Sequence, residues 1–431
     1  MTQDKHRVLV LGGGGREHAL AWKIAQSPLV QEVVGAPGNP GIARMNKGRT
    51  VAVSLNDFSA IYEVIQKNDI TLTVVGPEAP LVDGITDYLT ERGCVVFGPT
   101  AAAARLEGSK IFAKEFMTQH GIPTAPARAF SDFEQARRYT LEHSLPVVIK
   151  CDGLAAGKGV TVAETYDDAV GALENALKQG AFGEAGNRVL VEEFMEGEEA
   201  SILALCDGTR AVLLPSSQDH KRAYDGDKGP NTGGMGAYSP APVVTEEVLR
   251  RVQERIIAPT LAGLQRSGAP YCGCLYVGLM LRDGEPRVVE YNCRFGDPET
   301  QAVLPRIESD LVPLLLAAAQ GDLSDASVGV SGDATICVVL ASGGYPGTYE
   351  KHKKIEGIEA ASALPDITVF HAGTREEGGR LYTDGGRVLN VVARGTTLAE
   401  ASTKVYAAIE RIRFDNMHFR RDIGRRALQR A

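Results

Sequence analysis

Short apolar runs alternate with amphipathic stretches through the first hundred residues. Arg7–Leu11 (RVLVL) is a short apolar run ending in four glycines, and the following REHALAWKIAQS has helical spacing. Further strands are predicted at Glu32–Val34, Thr50–Val53, Leu72–Val75 and Val95–Phe97, with a helix near Phe58–Lys67. Short apolar strands separated by helices imply a parallel sheet covered on both faces. Ligands of such sheets gather at the carboxyl ends of the strands. The loops expected there are Gly12–Gly15, Gly35–Gly41, Gly76–Gly84 and Gly98–Thr100. Four glycine-bearing loops along one edge mark a candidate site.

The pattern then changes. From about Pro123 to Cys206 the chain reads strand, glycine loop, strand (PVVIKCDGLAAGKGV), then an Ala-rich helix near Asp167–Lys178, then NRVLVEEFMEGEEASILALC. From about Ala211 to Gln320 a long polar segment, SQDHKRAYDGDKGPNTGGMG, precedes two strands, GCLYVGLML and RVVEYN, joined by the turn RDGEP. From about Gly332 come three more strands (DATICVVLAS, ITVFHAG, RVLNVVAR) and a helix near Thr397–Arg411. The polar segment has no apolar periodicity and reads as a functional loop. No repeat or low-complexity tract interrupts the series.

At 431 residues the chain is too long for one core. A net charge of −8 argues against a nucleic-acid or anionic-membrane surface as the main partner. Seven cysteines without a CxxC pair suggest neither a disulfide framework nor a zinc site, and their apolar surroundings suggest inert thiols. No run of 18 apolar residues and no signal-peptide core is present, so a cytoplasmic protein without membrane partners is expected.

Two nucleotide motifs are approached and missed. A GxGxxG frame would need glycine at Glu17 or His18, and the end of the second strand offers no acid for a ribose, so a nicotinamide or flavin cofactor is disfavoured. Gly153 to Gly157 is one residue short of the Walker A spacing, and Gly159 follows Lys158 where that motif has Ser or Thr. What survives at Gly12–Gly15 is a helix N-terminus able to face an anion. The second loop, with its one lysine between two strands, reads by itself as an ordinary hairpin turn, and could equally fold over phosphates as a cover.

RVVEYNCRFGDPE is the most informative string. Glu290 and Asn292 alternate on a strand and leave the same face of the sheet. A carboxylate and an amide carbonyl so placed are oxygen donors for Mg²⁺, with phosphates completing the shell. EEFMEGEE (Glu192–Glu199) carries acids around Phe194 and Met195, and reads as a segment crossing between lobes or as a solvated charge run.

In this order the segments resemble the phosphoribosylamine–glycine ligase (glycinamide ribonucleotide synthetase) family of ATP-grasp enzymes. The strings that carry it are GGGGREHALAW, GNPG, GPEAPLVDG, KCDGLAAGKGV, VEEFMEGEEAS, SQDHKRAYDGDKGPNTGGMGAYSP, CGCLYVGLM and EYNCRFGDPETQ. The resemblance covers nearly the whole chain. It implies a mixed α/β and α+β multidomain protein: a Rossmann-like substrate domain over 1–108, an ATP-grasp domain over 109–325 and an α+β domain over 326–431. The ATP-grasp part would divide into a small lobe at about 123–195 and a larger catalytic lobe at about 196–325.

The same resemblance implies the site. Lys110 and Lys150 would hold ATP phosphates, with Gly153, Gly157, Lys158 and Gly159 closing over them. Glu192, Glu193 and Met195 would receive adenine, with Glu199 on the ribose. Glu290 and Asn292 would hold Mg²⁺ or Mn²⁺ as two protein ligands, because Gly278 stands where many relatives have a further carboxylate. Tyr276 stands where they often have a base, and Arg294 is the candidate for that charge. Asp219, Lys221, Arg294 and Asp297 would surround the meeting point of glycine and γ-phosphate. Phosphoribosylamine would meet Gly13–Gly15, Gly38, Asn39 and Glu78. The expected partners are these small molecules alone, and the expected assembly is a monomer or weak homodimer. The alternatives are another ATP-grasp enzyme such as a carboxylase subunit or a D-alanine ligase, a nucleotide-binding regulatory module without activity, and a NAD oxidoreductase.

Overall fold

The first apolar run is the middle strand of a five-stranded sheet. In the computed structural model, which describes residues 5–154 and 159–430, His6–Gly12 lies between Val30–Pro37 and Leu72–Val75. Gly48–Thr50 and Val96–Phe97 form the edges. Every pairing is parallel. Val8 to Leu11 are wholly buried, as a strand covered on both faces requires. The helix Phe58–Lys67 occupies its predicted residues, capped by Asp57 through the Ala60 N–H at 2.9 Å. The strand expected at Thr50–Val53 forms at Gly48–Thr50 instead. It is a half-exposed edge, and Arg49 pairs there with Glu32 of the next strand at 2.7 Å. Cross-strand pairing at an edge outweighs the β-propensity of Val51 and Val53.

Two antiparallel four-stranded sheets follow. The first runs Ala127–Phe130, Val189–Glu193, Val147–Cys151, Val160–Ala163; the second runs Ala211–Leu213, Glu198–Asp207, Cys272–Arg282, Glu285–Asn292. The acid-rich segment is the link, with Val189–Glu193 in one sheet and Glu198–Asp207 in the other. The turn of RDGEP has φ of 52° at Asp283 and 75° at Gly284. Those left-handed positions suit a two-residue hairpin loop, and Asp-Gly tolerates them. Further along this hairpin the register steps from Gly278↔Glu290 to Leu279↔Val288. Val289 is therefore bulged out of the ladder.

The long polar segment is not the plain loop expected. Gln218–Asp219 and Gly236–Ser239 are strands of a third, antiparallel sheet that continues through Ala334–Ala341, Arg387–Gly395 and Ile367–His371. Arg222–Tyr224 and Lys228–Asn231 pair as a separate hairpin. Polar strands hold here because neighbours, not their own apolar surface, satisfy the backbone. Gly236 packs so tightly that a Cβ would come within 2.6 Å of the Cys337 carbonyl oxygen.

The first helix, Gly15–Ala25, is wedged between the N-terminal sheet and this third sheet. His18 and Trp22 meet Phe370 edge-on, with ring centroids 5.4 and 5.6 Å apart. The long helix that follows the third sheet, Leu398–Ile409, is capped by Thr397, whose Oγ1 accepts from Glu400 N at 3.1 Å. All seven cysteines are free thiols. No described helix is long and apolar enough to cross a membrane.

Candidate active site

A cavity of about 500 Å³ opens between the two four-stranded sheets and is walled further by the N-terminal and C-terminal sheets. It collects Lys110, Lys150, Gly153, Gly159, Glu192, Asp219, Lys221, Glu290, Asn292, Arg294, Asp297 and Glu78, residues spread over more than two hundred positions.

One wall is cationic. Lys150 leaves the buried strand Val147–Cys151, and its Nζ donates to Glu192 Oε2 at 2.8 Å and to the bulged Val289 carbonyl at 3.1 Å. The bulge thus ties one lobe to the other. Lys114, from the helix Lys110–Gln119, approaches the second oxygen of Glu192 at 3.2 Å. Burial pushes the Lys114 ammonium down to about 8, against the pull of Glu192. Lys110 donates to the Gly153 carbonyl at 2.8 Å. Burial and the nearby Lys150 charge lower its pKa, although Glu290 draws it upward. The helix carrying both lysines starts at Ser109, whose Oγ donates to Asp152 Oδ1 at 2.9 Å while Asp152 also accepts from Ile111 N at 3.2 Å. The end of the Lys150 strand therefore positions the Lys110 helix.

The facing wall is acidic. Glu290 and Asn292 both line the cavity, and the buried Tyr291 between them sends its hydroxyl to within 2.8 Å of Thr260 Oγ1. The Glu290 side chain crosses Gly278, where a Cβ would sit 3.2 Å from Glu290 Cγ. Glycine at 278 leaves that carboxylate its place. Lys221 Nζ lies 2.8 Å from Glu199 and 3.6 Å from Asp219. Burial raises the Asp219 carboxyl well above the ordinary range, and Glu299, Glu199 and Glu290 add to the rise despite Lys221. Tyr276 donates its hydroxyl to buried Glu299 at 3.0 Å. Among the described residues no three His, Cys, Asp or Glu side chains form a metal cage. The donors present, one carboxylate and one amide oxygen beside an acidic pole, fit a hard cation that takes its other ligands from phosphate.

Arg294 joins this wall to the N-terminal sheet. Its guanidinium reaches Glu107 at 2.8 Å, Glu78 at 3.3 Å and Asn292 Oδ1 at 3.3 Å. Burial would raise the Glu78 carboxyl, but Arg294 and then Arg16 hold it down to about 2. Asp297 accepts from Arg16 N at 3.3 Å and pairs with Arg387 at 3.3 Å.

Other expected residues stand outside the lining. Gly157 and Lys158 lie outside the described residues. Glu193 is exposed, Met195 is buried, and Glu199 borders a smaller adjoining recess with Lys221 and Glu290. The loop glycines are occupied by packing. A Cβ on Gly13 would meet the Gly38 carbonyl oxygen at 2.5 Å, and Gly14 N already donates to Glu17 Oε2 at 2.6 Å. Asn39 donates to the carbonyls of Gly13 and His371, each at 2.9 Å.

Several lining residues escaped the sequence reading. Lys114 had a usable signal, since it follows Lys110 by four and shares its helix face. Glu107, Arg16 and Glu299 sit beside recognised motifs. Tyr345, Tyr349 and Arg387 come from the C-terminal region and had none.

Three family models match the chain. They are described as phosphoribosylglycinamide synthetase N domain over residues 6–107, ATP-grasp (A) domain over 108–300 and C domain over 335–426. The phosphoribosylamine–glycine ligase of Escherichia coli O6:H1 is 51% identical, with 98% of this chain and 99% of that protein covered. The one from Mesorhizobium japonicum is 52% identical, with the same coverage. The crystal structure of the Thermotoga maritima phosphoribosylamine–glycine ligase superposes with a TM-score of 0.84 at 37% identity, covering 97% of this chain and 100% of that one. A biotin carboxylase domain from Hydrogenobacter thermophilus, solved with MgADP, has a TM-score of 0.72 at 18% identity, which is a likeness of fold alone. Identity of this degree over nearly the full length, together with family models matched in all three parts, shows that the chain belongs to the phosphoribosylamine–glycine ligase family of ATP-grasp enzymes.

Proposed function

We propose that the cavity joins glycine to phosphoribosylamine at the expense of ATP, giving glycinamide ribonucleotide, ADP and phosphate, the family's step in purine biosynthesis. The observation that carries this is a lysine wall facing an oxygen-donor strand across one cleft. A polyphosphate can lie between Lys110 and Lys150 on one side and Glu290 and Asn292 on the other. The glycine carboxylate attacks the γ-phosphorus in line, ADP leaves, and glycyl phosphate forms. The amine of phosphoribosylamine then attacks the acyl carbon and expels phosphate. No nucleophilic side chain is required, so positioning and charge neutralisation do the catalysis.

The residues divide accordingly. Lys110 and Lys150 steady the phosphates. Glu290 and Asn292 would hold Mg²⁺ or Mn²⁺, which when bound would neutralise phosphate charge. Gly153 and Gly159 border the triphosphate, and Glu192, Glu193, the Met195 backbone and Glu199 serve the nucleoside. Lys221, Asp219 and Arg294 orient glycine against the γ-phosphate. Asp297 joins them there, and Glu78 faces phosphoribosylamine, which approaches from the loops of Gly13–Gly15, Gly38 and Asn39.

ADP release measured with each acceptor in turn tests the assignment. Release that needs both glycine and phosphoribosylamine supports it. Release with bicarbonate in their absence would refute it.

A further inference from the structure

The hairpin Arg222–Tyr224 with Lys228–Asn231 has little apolar surface of its own, yet its base carries Lys221, Asn231 and Thr232 into the cavity. Thr232 closes that base by donating N–H and Oγ1 to the Lys221 carbonyl at 2.7 and 2.8 Å. Its turn has left-handed φ at Gly226 (70°) and Asp227 (56°), a conformation that costs energy for aspartate. Something must hold it.

What holds it is the far end of the chain. The Arg420 side chain is wholly buried and forks onto Asp422 with two bonds of 2.8 Å, while its Nη1 reaches Asp227 at 2.9 Å and the Arg222 carbonyl at 3.1 Å. Asp422 accepts from Gly226 N at 2.8 Å, and Asp225 accepts from Arg421 N at 2.8 Å. Arg426 pairs with Asp227 at 2.6 Å, and the His418 ring donates to the Ala223 carbonyl at 2.8 Å. Three consecutive tail residues and two flanking ones thus grip the first strand and the turn. A planar guanidinium with carboxylates on two sides fixes direction as well as distance.

The geometry points to the C-terminal segment 418–426 as a clamp that sets the Lys221 hairpin in register with the cavity, with Arg420 as its positioning residue. The inference rests on the proposed role of Lys221. Its consequence is selective: glycine handling depends on the clamp, whereas ATP anchoring by Lys110 and Lys150 on the opposite lobe does not.

Full-length Arg420→Met, Lys221→Met and the double variant test it by steady-state kinetics and ATP-binding titration, with Arg426→Gln and Asp225→Asn as milder cuts that leave no buried charge unpaired. Arg420→Met is expected to lower kcat/KM for glycine at least about tenfold while ATP Kd stays within about twofold, and Arg420→Lys to recover part of the loss. The double variant should be no worse than Lys221→Met, because the clamp acts through Lys221. Additive losses in the double variant, or native glycine kinetics in a folded Arg420→Met, would overturn the clamp. If Arg420→Met fails to fold, the decision passes to the mild pair: a graded rise in glycine KM supports the clamp, and unchanged kinetics refutes it. Native turnover in Lys221→Met would instead sink the role given to Lys221.

Discussion

Replacing Glu192 by glutamine should destabilise the protein in a pH-dependent way that only a buried charge triad produces. Glu192, Lys150 and Lys114 are 4%, 5% and 6% exposed, and the carboxylate lies 2.8 and 3.2 Å from the two ammonium groups. Removing its charge leaves two buried cations facing each other. Breaking a buried pair costs about 3–5 kcal/mol, and the amide oxygen left behind keeps the loss near the lower end. For a lobe of this size that corresponds to roughly 6–12 °C in Tm. Lys114 then supplies the pH signature. Its native pKa is already about 8, lowered by burial and supported by Glu192, and loss of the carboxylate lowers it further. A lysine whose folded pKa lies below its unfolded value carries its penalty in full below the folded pKa and sheds it as pH rises through that value. The variant therefore recovers at lower pH than the native protein, and the gap between them narrows as pH rises towards 8. Thermal melts of both proteins from pH 6 to 9 measure it. A gap that is constant or widening over that range would refute the triad. ATP, by returning anionic charge to Lys150, should raise the variant's Tm more than the native protein's.

Glu290→Ala should lower kcat by ~100- to 1,000-fold with Tm nearly unchanged, because the carboxylate faces the cavity and not the core; near-native turnover would end the metal assignment. Gly15→Ala forces a methyl into the Asn390 amide and within 2.6 Å of Gln301 Nε2, so a loss of ~1–3 kcal/mol in denaturant unfolding is expected where the N-terminal helix meets the C-terminal sheet. Arg294→Lys loses the fork between Glu107 and Glu78 and should raise KM for glycine and, through Glu78, for phosphoribosylamine roughly tenfold while ATP Kd holds, as titration and initial rates would report.

Those expectations draw unequally on the sequence. The parallel sheet was legible because burial on both faces leaves runs such as Val8–Leu11 without alternation, and the Glu290–Asn292 face because strand period is two. The family resemblance, not periodicity, supplied Lys110, and the sequence reading passed over Lys114, although the two share a helix face. The polar segment 217–236 misled it, since its strands are held by partners that no local pattern reveals: Gly236 by Cys337, and the hairpin turn by Arg420.

Arg387 shows why the last wall was beyond reach. It opens RVLNVVAR, whose apolar run predicts a buried strand, and Arg387–Gly395 is that strand. Nothing in the run says that its first residue will donate to the Gly233 carbonyl at 2.6 Å and to the Asp297 carbonyl at 2.8 Å, or pair with the Asp297 carboxylate. That contact exists because Gly236–Ser239 lies beside Ala334–Ala341, which in turn lies beside Arg387–Gly395. Two sheet pairings across about a hundred and fifty residues bring the guanidinium to the cavity. Periodicity reports which face a side chain takes on its own element, and adjacency between elements is decided by the assembled cores. A site built where four sheets meet is therefore readable strand by strand for its chemistry, whereas its closure depends on the finished fold.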